Sequence, residues 1–256
     1  MTLLVWAALV GTTFIAALLY IISGFGFAVL AVPLYLLLLD PAQAVQLAII
    51  LSTGLSFAVV PGLRRTVAPT LLLRLTVGSL LGLPVGLYSF RYADPLLVRL
   101  GVGATISAFA LLIAGSTREG GRLPVAFGRT RGRDLGAGAV AGMATALVGM
   151  PGPPVLIYLL LAGTAGQTVR ARLLAFFALS YTATVVSHVV TIGIPAATWV
   201  TAGVLGPVAL LGGVAGRPIG DRLGADVFTR LAIALLAVAG LYTTAAAAVG
   251  LATRQP

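Results

Sequence analysis

The chain has 256 residues, 59% of them hydrophobic and 9% charged, and its mean hydropathy is +1.10. Soluble globular proteins are about 45–50% apolar and about 25% charged, so this composition excludes that class and predicts a polytopic membrane protein. The net charge of +10 rests on 16 Arg without any Lys, and basic loops between apolar spans face anionic lipid head groups, so no nucleic-acid partner is expected. Because there is no Cys, disulfides, Fe–S clusters and thiolate metal sites are excluded, and no cofactor or metal is predicted.

Seven apolar stretches approach or exceed the ~20 residues that cross a bilayer core. They are residues 3–22, 42–60, 70–90, 95–115, 171–192, 197–216 and 227–250. No basic residue precedes Arg64, so the first stretch lacks the charged start of a secretory signal and is expected to stay in the protein. Seven spans leave little of the chain for a soluble domain.

The first span runs into a Gly-rich break, GFGFAVLAVP, at residues 24–33. Non-helical backbone at membrane depth persists only where protein or a watery cavity satisfies its N–H and C=O groups. A helix that starts again in mid-membrane has unpaired N–H groups and the positive end of its dipole at its start, and such an end attracts anions. We therefore predict a substrate-binding site that includes Ser23, Gly24, Phe25, Gly26 and Phe27.

A second break, GMPGPP, occupies residues 149–154 at the corresponding place in the other half of the chain. Paired interruptions of this kind are the best sequence indication of a transport site. Because the prolines have no N–H, the predicted donors are Met150, Gly152 and Val155. The arm that follows, residues 153–163, is about 16 Å of helix and is too short for a ~30 Å core. It is therefore expected to turn back.

The span after each break carries hydroxyl groups, in LSTGLS (residues 51–56) and in LSYTAT (residues 179–184). Two i,i+4 pairs, Ser52 with Ser56 and Ser180 with Thr184, each place their hydroxyls on one helix face. Such hydroxyls either contact a substrate or bond to the carbonyl of residue i−4 in their own helix. The predicted substrate-binding set from these spans is Ser52, Thr53, Ser56, Ser180, Tyr181 and Thr184.

These repeated features predict two transmembrane repeats, residues 1–115 and 134–256, joined by an Arg-rich cytoplasmic linker at 116–133. A GxxxGxxxG stripe at residues 78–86 also recurs at 212–220; such stripes let helices approach closely and would allow a homodimer. If each broken segment is a re-entrant hairpin, 13 Arg lie on one side of the membrane and 3 on the other, as the positive-inside rule requires. Each half is then a hairpin plus three spans, so the halves are inverted repeats, both termini lie outside the cytoplasm, and the two hairpins meet near the midplane.

The six acidic residues lie at segment ends or in the linker, whereas a cation pump needs an acid deep in the bilayer. An uncharged site with inward helix starts suits a small anion, carried by a transporter or passed by a channel. The alternatives are another small anion such as a carboxylate as the substrate, a purely structural subunit, and an intramembrane serine protease built on Ser187 or Ser180 with His188. Adjacent helical residues point about 100° apart, so Ser187 and His188 do not form a nucleophile–base pair. No enzyme is predicted.

The chain resembles the sulfite exporter TauE/SafE family, also called the toluene sulfonate uptake permease family. The resemblance rests on the first Gly-rich break followed by Pro33–Leu34, the Ala42-x-x-x-Gln46-Leu47-Ala48 span, the Arg64–Arg65 loop and the second Gly/Pro break. It implies a multi-pass secondary transporter of the inner membrane that exports sulfite, sulfoacetate or other organosulfonates. Where the family has further glycine, this chain has Phe27 and Ala28, which favours a sulfonate with an apolar tail.

Overall fold

The computed structural model describes residues 2–23, 27–59, 68–92, 94, 128–164 and 167–222. All the regular structure in these ranges is helical, as predicted for an all-α membrane protein. The helices are α1 (Leu3–Ser23), α2 (Phe27–Tyr35), α3 (Pro41–Val59), α4 (Pro69–Tyr92), α5 (Arg131–Val148), α6 (Gly152–Leu161), α7 (Gln167–Thr191) and α8 (Ala196–Arg222).

Five of these helices contain stretches that are long and apolar enough to cross a membrane: Leu3–Ile22, Pro41–Val59, Pro69–Tyr92, Thr168–Thr191 and Ala196–Gly216. They correspond to five of the seven predicted spans. The other two predictions, residues 95–115 and 227–250, fall outside the described residues. The chain is therefore a multi-pass membrane protein.

The two short helices, α2 and α6, have 9 and 10 residues, about half of what a bilayer core requires. Eight of the nine residues of α2 are buried, and α6 contacts both α5 and α7. Protein therefore surrounds each short arm, which is the condition under which a helix can end inside a membrane.

The second break is formed by a well-defined helix end. Gly149 closes α5 with φ of 75°, a left-handed conformation that favours glycine. The N–H of Gly149 donates to the Thr145 carbonyl at 2.9 Å, and the N–H of Met150 donates to the Ala144 carbonyl at 3.5 Å. Pro151 then precedes α6, whose first turn contains Pro153 and Pro154.

Glycine stripes bring two pairs of helices into close contact. A methyl group on Gly82 of α4 would overlap the Ala139 carbonyl of α5, and one on Gly86 would lie 2.5 Å from the Met143 oxygen. On α8, a methyl group on Gly212 would lie 2.5 Å from the Phe14 oxygen of α1, and one on Gly216 would lie 2.8 Å from the Leu18 oxygen. Residue numbers rise together in both pairs, so α4 is parallel to α5, and α8 is parallel to α1.

The predicted stripes are therefore interfaces within one chain, at least for Gly78, Gly82 and Gly86 and for Gly212 and Gly216. The surroundings of Gly220 lie outside what the structure describes. A homodimer through glycine-rich faces stays a prediction, and it would have to use a face other than these two.

Helices α3 and α7 contact each other at the centre of the described fold. Around them, several helix pairs are in contact. They are α1 with α8, α4 with α5, α3 with α8, α4 with α7, α1 with α2, and α5 with α6. The hydrophobic core lies between these elements and includes Tyr20, Tyr35, Phe176 and Phe177. The breaks are therefore next to the core.

Candidate functional site

The second break lies in a fully enclosed position. Met150 and Val155 are 0% exposed, and a methyl group on Gly149 would lie 3.5–3.6 Å from side chains of Val32, Val45 and Ile49. Gly152 faces α7, because a methyl group there would lie 3.2 Å from Cζ of Phe177. Glycine at residue 152 thus leaves room for this ring.

The start of α6 offers fewer free donors than the sequence suggested. The Met150 N–H bonds to the end of α5, and the Val155 N–H occupies the position that bonds to the cap carbonyl of Pro151. Pro153 and Pro154 have no N–H. In the first turn of α6, the N–H of Gly152 is therefore the one donor that the helix itself does not use. A substrate could receive one backbone hydrogen bond here.

The first break is described only at its edges. Gly24, Phe25, Gly26 and the side chain of Ser23 lie outside the described residues, and Phe27 is buried. At the end of α1, the Ile21 carbonyl accepts a hydrogen bond from the Arg170 guanidinium of α7. This contact fastens the end of the first arm to the start of α7.

The second break and the end of α1 contact α3 at different levels. Gly149 lies beside Val45 and Ile49, whereas the hydroxyl of Tyr20, near the end of α1, lies 2.8 Å from Oγ of Ser56. Seven residues separate Ile49 from Ser56, about 10 Å along a helix. Ser52 lies between these levels.

Ser52 differs from the other predicted hydroxyls. It is 0% exposed, and its Oγ has no hydrogen-bond partner among the described residues. The Tyr181 hydroxyl of α7 lies close enough to interact with the Ser52 hydroxyl, but the pair does not meet the distance and angle criteria of a hydrogen bond. Because a buried polar atom without a partner is rare in native structures, an unsatisfied hydroxyl at the centre of a fold indicates a place for a ligand or water.

Most of the other hydroxyls are occupied within the protein. Thr53 donates to the Ile49 carbonyl at 2.7 Å, and Thr184 donates to the Ser180 carbonyl at 2.8 Å. Oγ of Ser180 lies 3.1 Å from Oγ of Ser79 and 3.4 Å from Oγ1 of Thr145. Ser180 therefore links α7 to α4 and α5.

Aromatic rings form the wall beside Gly152 and Tyr181. The centroid of the Phe177 ring lies 6.4 Å from that of Tyr20 and 5.7 Å from that of Tyr181. All three residues are buried. The structure thus brings together Ser52, Tyr181 and the Gly152 region around an apolar surface.

His188 is part of a packed helix interface. Its Nε2 lies 3.2 Å from the Ala146 carbonyl, and its ring meets the edge of Phe90 at 4.8 Å. A serine protease would need one ring nitrogen of His188 beside a serine hydroxyl. Among the described residues, Nε2 contacts a backbone carbonyl and Nδ1 has no partner, which is evidence against that pair.

Sequence reasoning missed the role of Asp134, which was assigned only to a segment end. It is 0% exposed, and its carboxylate accepts from the Tyr158 hydroxyl at 2.5 Å, from Arg74 at 3.1 Å and from Arg129 at 3.5 Å. In the first hairpin, the Tyr35 hydroxyl lies 2.6 Å from Oγ1 of Thr13. A Tyr in each returning arm therefore bonds to the helix that precedes the break. In the sequence, the signal for these contacts was a Tyr at a similar place after each break.

Of the comparisons with known proteins, the one with family models gives a match. The family model described as Sulfite exporter TauE/SafE matches residues 9–243. Neither the curated proteins nor the solved structures give a match. Because the family match covers nearly the whole chain, this protein belongs to the sulfite exporter TauE/SafE family.

Proposed function

We propose that the protein is a secondary transporter that moves small sulfur-containing anions, such as sulfite, sulfoacetate or other organosulfonates, across the inner membrane. The observation that carries the proposal is the family match over residues 9–243. Export is the proposed direction because the family is one of exporters.

The centre of the fold supports a substrate site between the two breaks. Ser52 supplies an unused buried hydroxyl, Gly152 supplies a first-turn N–H that α6 itself does not use, and the rings of Phe177 and Tyr181 supply an apolar wall. A neutral site of this kind attracts an anion through dipoles and releases it more readily than a charged residue would. In this proposal the first break contributes Gly24, Phe25 and Gly26 from the opposite side.

The proposal includes an inverted pair of repeats. Support comes from the helix directions: α1 is parallel to α8, and α4 is parallel to α5, with glycine contacts at each interface. In two inverted halves, α1 corresponds to α5 and α4 corresponds to α8. The α1/α8 interface is then the counterpart of the α5/α4 interface. Alternating access would then open the shared site to one side at a time.

The decisive experiment is counterflow of labelled sulfite in liposomes with the Gly152→Leu variant. A leucine at this position would collide with Phe177 and fill the space beside the free N–H, so transport is expected to fall to background while the protein still inserts. The matched control is Gly203→Leu on α8, where a methyl group meets nothing within 4 Å, and its transport should equal that of the wild type. Wild-type flux in Gly152→Leu would refute the site.

Substrate class is tested separately, by thermal unfolding of the purified protein with sulfite, sulfoacetate, taurine, thiosulfate, sulfate and small carboxylates. We expect the sulfonates and sulfite to raise the unfolding temperature, because a ligand that binds only the folded state stabilises it. Stabilisation by carboxylates alone would indicate another small anion. Unsaturable conductance in the liposomes would indicate a channel.

A further inference from the structure

A cleft on the outer side of α4 and α5 is separate from the central site. It has a volume of about 300 Å³ and is lined by Thr70, Leu73, Arg74, Val77, Arg131 and Leu135. Thr70, Leu73 and Arg74 lie in the first two turns of α4, and Arg131 is the first residue of α5. The cleft therefore begins where both helices begin and extends along the groove between them.

The beginning of the α4/α5 cleft is basic. Among the described residues, Arg74, Arg129, Arg131 and Arg133 lie at this end with the single carboxylate of Asp134, an excess of three positive charges. Arg131 is exposed, and its guanidinium has no hydrogen bond or ion pair within the described part of the chain. Two helix starts add the positive ends of their dipoles at the same place. An anionic group is thus favoured here.

The rest of the cleft is apolar and open. Leu73 is 64% exposed and Val77 is 40% exposed. Leu135 lines the cleft from α5, with its backbone carbonyl packed against Gly78 of α4. A small hydrated anion would gain nothing from this surface. A ligand with an anionic head and a hydrocarbon tail would satisfy both ends of the cleft.

We propose that the α4/α5 cleft is a binding site for an anionic phospholipid, with the phosphate at Arg131 and Arg74 and an acyl chain along Leu73, Val77 and Leu135. Basic clefts between membrane helices bind such head groups by charge, while the chain adds apolar contact. The head group would lie beside the Arg74–Asp134 pair, so bound lipid would hold the starts of α4 and α5 together.

Native mass spectrometry of the purified full-length protein tests this with phosphatidylglycerol and phosphatidylcholine of identical acyl chains. The wild type should retain phosphatidylglycerol in preference to phosphatidylcholine. Arg131→Gln should lower the retained phosphatidylglycerol about fivefold, the effect expected for one basic residue at a membrane surface. The charge-matched control is Arg91→Gln at the other end of α4, which should retain the lipid as the wild type does.

A second variant tests the apolar part without changing charge. Val77→Trp fills the groove at an exposed position, so it should reduce phosphatidylglycerol retention while the unfolding temperature stays close to that of the wild type. Equal retention of both lipids, or equal losses in Arg91→Gln and Arg131→Gln, would overturn the proposal. So would displacement of the lipid by inorganic phosphate or glycerol phosphate at equal concentration, since that result would indicate a site for small anions.

Discussion

Ser52 and Ser180 occupy corresponding positions in α3 and α7, but their hydroxyls have different surroundings. Ser180 bridges Ser79 and Thr145, whereas Ser52 has no partner among the described residues. A hydrogen-bonded hydroxyl stabilises the fold, whereas a buried hydroxyl without a partner lowers the free energy of unfolding. Such a hydroxyl is explained where it binds a ligand or water. The same residue type at equivalent places thus links helices in one half and, in the proposed function, binds substrate in the other.

The pair gives a test with opposite outcomes. Ser52→Ala should lower sulfite counterflow about tenfold or more, because a hydrogen bond to a charged ligand is worth about 1.5–3 kcal/mol, and it should leave thermal stability unchanged or raised. Ser180→Ala should lower the free energy of unfolding by about 0.5–1.5 kcal/mol, because two interhelical contacts are lost. Both are measured on the same preparations, by counterflow and by thermal unfolding. If Ser52→Ala lost stability and kept its flux, Ser52 would be a structural residue.

At the scale of the helices, the glycine stripes set which elements touch. Gly78 and Gly82 of α4 meet the backbone of α5, and Gly138 and Gly142 of α5 meet the backbone of α4. Side chains at these four positions would keep the two helices farther apart. The interface holds the entering arm of the second hairpin, so it also fixes the position of the second break.

Gly82→Ala should therefore be strongly destabilising. A methyl group there overlaps the Ala139 carbonyl, and overpacking of a tight interface costs about 1–3 kcal/mol or more. The matched control is Gly136→Ala on α5, an exposed glycine whose added methyl group meets nothing within 4 Å. Thermal unfolding in detergent should separate the two variants, and equal unfolding temperatures would show that the contact does not matter.

For the whole molecule, charge and helix direction combine into one topology. Two re-entrant hairpins place 13 of the 16 Arg on one side of the membrane, as the positive-inside rule favours. The parallel pairs α1 with α8 and α4 with α5 are what two halves of opposite orientation would produce. In the proposed inverted arrangement, each break would be entered from its own side of the membrane.

Labelling of single cysteines in this Cys-free chain tests the topology. Cysteines near residues 2 and 255 should react with an impermeant maleimide from outside intact cells, and one in the linker at 116–133 should react only after the cells are opened. The native absence of Cys removes background labelling. Protection of either terminus in intact cells would place it in the cytoplasm and contradict the inverted arrangement.

Composition and hydropathy alone determined the class, because an apolar span must satisfy its backbone within a helix wherever it lies in the membrane. The Gly and Pro residues at 149–154 likewise marked the second break, since φ of 75° at Gly149 and the missing N–H of the prolines are local properties. The glycine stripes predicted close helix contacts but not their partners, because spacing along one helix carries no information about the other.

Only the tertiary structure decided which polar groups are free. The sequence pattern makes no distinction between the hydroxyls of Ser52, Ser56, Ser180 and Thr184. In the structure, Ser56 pairs with Tyr20, and Ser180 pairs with Ser79 and Thr145. These partners come from helices that are distant in the chain. Met150 also depends on geometry, since its N–H turns back to Ala144. Asp134 was ordinary in the sequence and became a buried ion-pair centre through Arg74, 60 residues away. Hydrogen bonds between distant segments depend on packing, and packing is a property of the folded whole.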